Sequence, residues 1–229
     1  MITVTVASLV AAVRASLDEL QTNASYMAGV QDTDNSDLDT IISGKVLEAV
    51  ALVHRNAARS LVVADAPLQT TITASAEGLV LSVNVPTTML RFVSFKATDS
   101  PHAVTELLEE GSPDALRQAD EYACGTWERP EAVLCKGSTN NVIRYYKLRT
   151  TLRPADNTAT PAVAAEAASD RVEHLSYIPA PTIVSNSVDI CAALKDAVVS
   201  MLTGLVLTVY KDSHADAFFS QAKLQMGQQ

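Results

Sequence analysis

Near the N-terminus apolar side chains recur at three- and four-residue spacing, which places them on one side of a helix. Leu9, Val13, Ser16, Leu17 and Leu20 form such a stripe and predict a helix over residues 5–21. A polar connection follows, Gln31-Asp32-Thr33-Asp34-Asn35-Ser36. Leu38, Ile41, Ile42, Val46, Ala49, Val53 and Ala57 then predict a second helix starting near Asp37. Ser36 can cap it, and Asp39 suits the positive end of the helix dipole.

After Pro67 the period changes to two. Leu79, Leu81, Val83 and Val85 alternate with Val80, Ser82 and Asn84, the pattern of a half-buried strand. Met89 to Ala97 reads as the next strand. Ser112-Pro113-Asp114 is a helix start, with a capping serine, a proline at the first helical position and then an acid, and the helix should stop near Gly125. Ala132 to Lys136 and Val142 to Arg149 read as strands joined by a turn at Gly137-Ser138-Thr139-Asn140. Residues 150–172 are rich in Ala, Thr and Pro and read as a long loop, with room for an alanine-rich helix at 162–168. His174 to Pro179 reads as the last strand.

Two helices close the chain. Leu194, Val198, Met201, Leu202, Leu205 and Val209 make one stripe of the first. Val199, Thr203, Val206 and Leu207 make its opposite face nearly as apolar, which predicts a helix buried on both sides. The second begins near Asp212-Ser213 and carries Phe218, Phe219, Ala222, Leu224 and Met226. The fold class expected is α+β. Residues 1–65 and 186–229 pair their helices into a bundle, and residues 66–185 form an inserted β-rich lobe.

Composition adjusts this picture in three ways. The 229 residues are 48% apolar, enough for a hydrophobic core. Charged residues are 19%, below the roughly 25% of ordinary soluble domains, which fits a surface partly covered by neighbours or one rich in Ser and Thr. A net charge of −9 argues against binding nucleic acid through its phosphates, though not against walling a passage for DNA. The apolar run Ala197 to Tyr210 is too short for the roughly 20 residues of a membrane span, so no membrane is expected.

Candidate chemistry is sparse. The eight glycines never cluster, so the chain lacks the G-x-G-x-x-G, P-loop and G-x-S-x-G motifs, which need tight turns and close backbone approach. Cys124, Cys135 and Cys191 form no C-x-x-C pair and read as reduced, buried residues. His54, His102, His174 and His214 fall outside ligand spacings. The run from Asp32 to Asp39 opens like a calcium loop, but Asp37 and Ser43 stand where an EF-hand needs glycine and glutamate. Glu106, Glu109, Glu110, Asp114, Asp120 and Glu121 read as a solvated acidic face. Arg144, Tyr145, Tyr146, Lys147 and Arg149 mix basic and aromatic residues as nucleic-acid sheets do, yet one strand in an acidic chain reads as sheet packing. No catalytic, cofactor or metal site is expected.

The order of elements, with Ser112-Pro113-Asp114-Ala115-Leu116-Arg117-Gln118, then Gly125-Thr126-Trp127-Glu128-Arg129-Pro130, and Tyr210-Lys211-Asp212 before Phe218-Phe219, carries a resemblance. It resembles the head–tail connector (adaptor) ring proteins of short-tailed phages, of the tail-tubular-protein-A type and including the ring proteins of crAss-like phages. The resemblance implies a non-enzymatic virion protein, made in the host cytoplasm, in a homo-oligomeric ring of roughly a dozen subunits. Its partners would be the portal and other tail or ring proteins, with DNA only as passing cargo. Leu194, Val198, Leu205, Phe218, Phe219, Leu224 and Met226 are then expected at a subunit or portal interface. A chain cut after Asp216 is expected to keep a folded core while losing incorporation into particles. Two readings from other classes stand beside this one. The first is a cellular α+β enzyme with a dispersed site of carboxylates and His102 or His174, and the second is a cellular protein-binding scaffold.

Overall fold

A computed structural model describes residues 1–23, 34–77, 80–98, 100–120, 125–126, 128–146 and 171–228, without the side chains of 18–23, 34–37, 76 and 77. The chain is mixed α+β and divides into two compact units. Unit 1 comprises Met1–Ala66 and Ala180–Gln229, and unit 2 comprises Pro67–Pro179.

Unit 1 opens with a strand the residue pattern did not announce, β1 (Ile2–Thr5). It pairs antiparallel with β9 (Ser187–Ile190), with Ile2 opposite Ile190 and Thr5 opposite Ser187. β9 also corrects the expectation that the strand at His174–Pro179 is the last. The hairpin before it turns through Ser185 and Asn186 at φ 49° and 58°, the left-handed pair that a two-residue turn requires.

α1 (Val6–Asn23) follows directly, and Thr5 caps it: its Oγ1 accepts from the Ser8 amide at 3.2 Å. Leu9 and Val13 are buried, Ser16 and Leu17 half-buried. α2 (Asp34–Asn56) begins three residues before the expected start, and α3 (Arg59–Val63) adds one short turn. On α2, Ile42, Val46, Ala49, Val50 and Val53 are fully buried, as their spacing requires.

A 3-10 turn (Ala192–Leu194) leads into α5 (Lys195–Val209), which packs against α1, α2 and α6 (Ala215–Gln225). Ala197, Val198, Ser200, Met201, Leu202, Thr203, Val206 and Leu207 are buried, so α5 is enclosed nearly all round. The stripe fails only at its end, where Val209 is 47% exposed because the helix runs out into the turn. With the 3-10 turn the apolar run extends to Ala192–Val209, 18 residues, the lower limit of a membrane span by length and composition. Of that run 56% is buried inside the fold, as in the core helix of a folded domain.

α6 is part of this core. Ala222 and Met226 are buried, and the Ala58 amide donates to the Met226 carbonyl at 2.7 Å. Gly227 closes the helix at φ +71°, with its amide and that of Gln228 satisfying the carbonyls of Leu224 and Lys223. A Cβ at that position would also meet Ala58 at 3.0 Å. A chain cut after Asp216 would lose these contacts and bare one side of α5. Against the expectation that such a truncation keeps a folded core, the loss of these contacts is expected to destabilise unit 1.

In unit 2, β2 (Ala74–Glu77), β3 (Val80–Pro86), β7 (Asn140–Tyr145), β6 (Ala132–Cys135) and β5 (Leu108–Glu109) form one sheet in the order β2-β3-β7-β6-β5. β4 (Met89–Ala97) and β8 (Val172–Pro179) form another, with register shifts along β4. Leu81, Val83 and Val85 of β3 and Ile143 and Tyr145 of β7 meet Phe95 of β4 and Leu175 and Tyr177 of β8 in one core. The Phe95 and Tyr145 rings lie 5.6 Å apart at 59°, a tilted aromatic contact. β7 starts at Asn140 and ends at Tyr145 rather than running over the expected 142–149, and 147–170, with the expected helix at 162–168, lie outside the described residues.

Candidate interaction surface

The residues expected at an interface separate by burial once the chain is folded. Leu194 and Val198 are fully buried and Met226 is 1% exposed, so these three belong to the chain's own core and have no surface to offer a neighbour. Leu205, Phe218 and Phe219 are half-buried. Leu224 is 72% exposed, the most exposed large apolar side chain of the described residues. It stands on the outer side of α6 beside Lys223, also exposed. The resemblance, together with apolar spacing, groups all seven at one interface, because neither separates burial within a chain from burial between chains.

At the other end of the α5–α6 hairpin, Val209 and Tyr210 are 47% and 55% exposed. The turn between them and α6 is fixed by Asp212, whose Oδ1 accepts from the His214 amide at 2.8 Å and lies 2.7 Å from His214 Nδ1. The hydrogen bonds from the His214 backbone and then its ring hold the Asp212 carboxyl below the ordinary value. Elsewhere on unit 1, Val6, Ala7, Val10 and Ala11 of α1 line an open groove of about 610 Å³, with Asp39, Ser43 and Asn186 opposite. Arg14 Nε donates to Asp39 Oδ1 at 2.7 Å in the same groove, tying α1 to α2. Thus α1 buries Leu9 and Val13 on one side and presents small apolar residues on another.

His102, Glu106, Glu109, Glu110, Asp114 and Asp120 are all exposed. No group of three or more His, Cys, Asp or Glu is placed to hold a metal among the described residues. Most of the aspartate-rich run 32–39 and Glu121 lie outside the described side chains, as do Lys147 and Arg149. Arg144 is exposed while Tyr145 is buried, so the basic and aromatic residues of β7 do not share a face. Cys135 and Cys191 are buried thiols outside any disulfide, and Cys124 lies outside the described residues. Burial is the main cause that pushes the Cys135 thiol up, with Glu110 adding to it and Arg144 opposing.

The nearest approach to a nucleophile and base is Ser94 Oγ, 3.2 Å from His174 Nε2 across the β4–β8 pair. Glu173, next to His174 at a register shift in the pairing, is exposed and pairs with Lys96 at 2.6 Å. A triad needs a third group orienting the base and donors for an oxyanion.

Two polar anchors escaped the sequence reading. His54 reads as one of four scattered histidines but is 1% exposed, with Nε2 accepting from the Cys191 amide at 3.1 Å. Gln118 falls, in the sequence, inside a helix expected to run to near Gly125. That helix, α4 (Pro113–Arg117), is capped by Ser112 as its sequence predicts, yet it ends at Arg117 rather than near Gly125. Gln118, 5% exposed, sits just beyond it. Its Nε2 donates to the Asp114 carbonyl at 3.1 Å and to the Glu131 carboxylate, and its Oε1 accepts from the Gly125 amide at 2.9 Å. Gln118→Ala therefore strands a buried amide and is expected to cost about 2 kcal/mol, read from the urea midpoint; Gln118→Glu is expected to cost at least as much, because it sets a carboxylate against Glu131. A shift indistinguishable from that of an exposed control such as Leu116→Ala would contradict the anchoring role.

No family model and no curated protein matches this sequence.

Proposed function

We propose that the chain is a structural subunit of a homo-oligomeric ring of the head–tail connector class, set between a phage portal and its tail. In this reading the helices of unit 1 make a bundle that forms the ring body. Unit 2 is an inserted lobe that meets a neighbour, another ring or a tail protein. DNA passes through the ring as cargo, and the acidic chain does not hold it. The protein would act in the virion without catalysis or cofactor.

The observation that carries this reading is the discontinuous make-up of unit 1. Both ends of the chain fold together, with α5 enclosed between α1, α2 and α6, and the described residues of Pro67–Pro179 make a separate β-rich unit. This is the layout on which the resemblance to connector proteins rests. The exposed positions of the α5–α6 hairpin add to it. A ring closes through two different patches, each meeting the other on the next subunit. Leu224 on α6 and the groove along α1, apolar on its α1 side, are different patches of the same unit.

Leu224→Asp tests this surface without disturbing the fold, since changes at exposed positions usually shift stability by less than about 0.5 kcal/mol. The wild-type chain is expected to populate a ring in mass photometry, alone or on portal. The variant is expected to stay monomeric with unchanged circular dichroism. Rings of undiminished population in the variant would remove Leu224 from the interface. A wild-type chain that stays monomeric in both settings would contradict the function itself.

A further inference from the structure

The joint between β9 and α5 is held by two side chains that receive consecutive amides. His54 on α2 accepts from the Cys191 amide through Nε2 at 3.1 Å. Asp65, just after α3, accepts from the Ala192 amide through Oδ2 at 2.6 Å, and its Oδ1 lies 3.4 Å from the Met1 ammonium. These amides open the helical run that continues as the 3-10 turn and α5, and they have no carbonyl one turn earlier within that run to receive them. β1 ends against the same joint, with Ile2 opposite Ile190. A strand from one end of the chain and a helix from the other are thus fastened at one point.

The chemistry of the two acceptors differs. A carboxylate accepts across the neutral pH range. An imidazole nitrogen accepts only while it carries no proton, so a neutral His54 bound in this way holds its proton on Nδ1. Protonating the ring turns Nε2 into a donor aimed at the Cys191 amide, itself a donor. The positive end of the following helix opposes the added charge as well.

We propose that His54 and Asp65 form an acid-released clasp: protonation of His54 frees the Cys191 amide and opens the 3-10 turn with the β1–β9 ribbon, while the body of α5 stays folded. Charged groups on the surrounding elements include Arg14 on α1, Arg55 on α2, Arg59 on α3, Lys195 and Asp196 on α5, and the Met1 ammonium beside β1. Arg14 is engaged with Asp39, and Lys195 and Asp196 are exposed. The Asp65 charge acts on the ring. It favours protonation, but burial outweighs it and lowers the His54 pKa from 6.5 to about 4.

The sign follows from linkage. A group whose pKa is lowered in the closed state favours closure in full above its open-state value, and this advantage is lost as pH falls from 6.5 toward 4. Between pH 7.5 and pH 5 the open joint should gain about 30-fold in population relative to the closed one.

The test is amide hydrogen exchange on the full chain at both pH values, corrected for intrinsic rates and resolved to single amides. Protection at Cys191 and Ala192 should fall about 30-fold at pH 5, while Leu202 and Val206 in the body of α5 hold theirs. His54→Gln keeps an amide oxygen that can accept but cannot titrate, and it should abolish the drop. A drop that persists in His54→Gln overturns the proposal. If that variant does not fold, the wild-type chain decides alone, because Cys191 and Ala192 tracking Leu202 and Val206 would equally overturn it.

Discussion

Replacing Tyr145 with alanine is expected to destabilise unit 2 by about 3–5 kcal/mol, the cost of emptying a large aromatic site in a packed core. Tyr145 is 1% exposed on β7, which is central in its sheet and pairs with β3 on one side and β6 on the other. Its ring makes the tilted contact with Phe95 of β4, so it joins the two sheets. Few neighbours can fill the gap, because both flanking strands are held in register. Urea denaturation followed by circular dichroism reads the effect. Tyr145→Phe keeps the ring and should retain most of the stability. An alanine variant whose midpoint matches that of Leu116→Ala, an exposed control, would show that this core is not what holds the sheets together.

Gly204→Val is the second large effect. Gly204 is buried on α5 against Phe219 of α6, and a Cβ there would stand 2.7 and 2.8 Å from two ring carbons of Phe219. In an open helix, losing glycine would help by a few tenths of a kcal/mol. Here the overpacking dominates, and the variant is expected to lose about 3 kcal/mol as α6 is pushed off α5. The explanation carries its own control. In a Phe219→Ala background the space opens and most of the valine cost should vanish, a coupling of more than about 1 kcal/mol in a double-mutant cycle. Additive costs would mean that the ring is free to swing away and that close packing does not set the glycine.

Local pattern reached much of the secondary structure because it depends on near neighbours. The α2 stripe from Ile42 to Val53, the alternation of Leu81, Val83 and Val85, and the Ser112-Pro113 helix start are each read within a few residues, and each folds as that reading requires. β4 spans the expected Met89–Ala97. What local pattern missed is set by distant partners. β1 is four residues long and exists by pairing with β9, across nearly the whole sequence. His54 receives an amide 137 residues away, and Gln118 is bonded to Gly125 and Glu131, 7 and 13 residues further on.

The expected interface shows the same limit from the other side. Leu194 and Val198 at the start of α5, and Ala222 and Met226 on α6, stand four residues apart and fill the chain's own core, whereas Leu224, two residues from Ala222 and from Met226, faces outward. Apolar spacing shows that a residue will be covered. Only the folded chain shows whether its own atoms have already done so.

The central claim is that this chain closes into a ring at a portal vertex, and imaging the purified chain by negative stain, alone and mixed with portal from the same source, tests it most directly. The account predicts rings of roughly a dozen subunits, formed alone at high concentration or only when portal is present. A chain that stays monomeric in both samples and leaves the portal bare would contradict it.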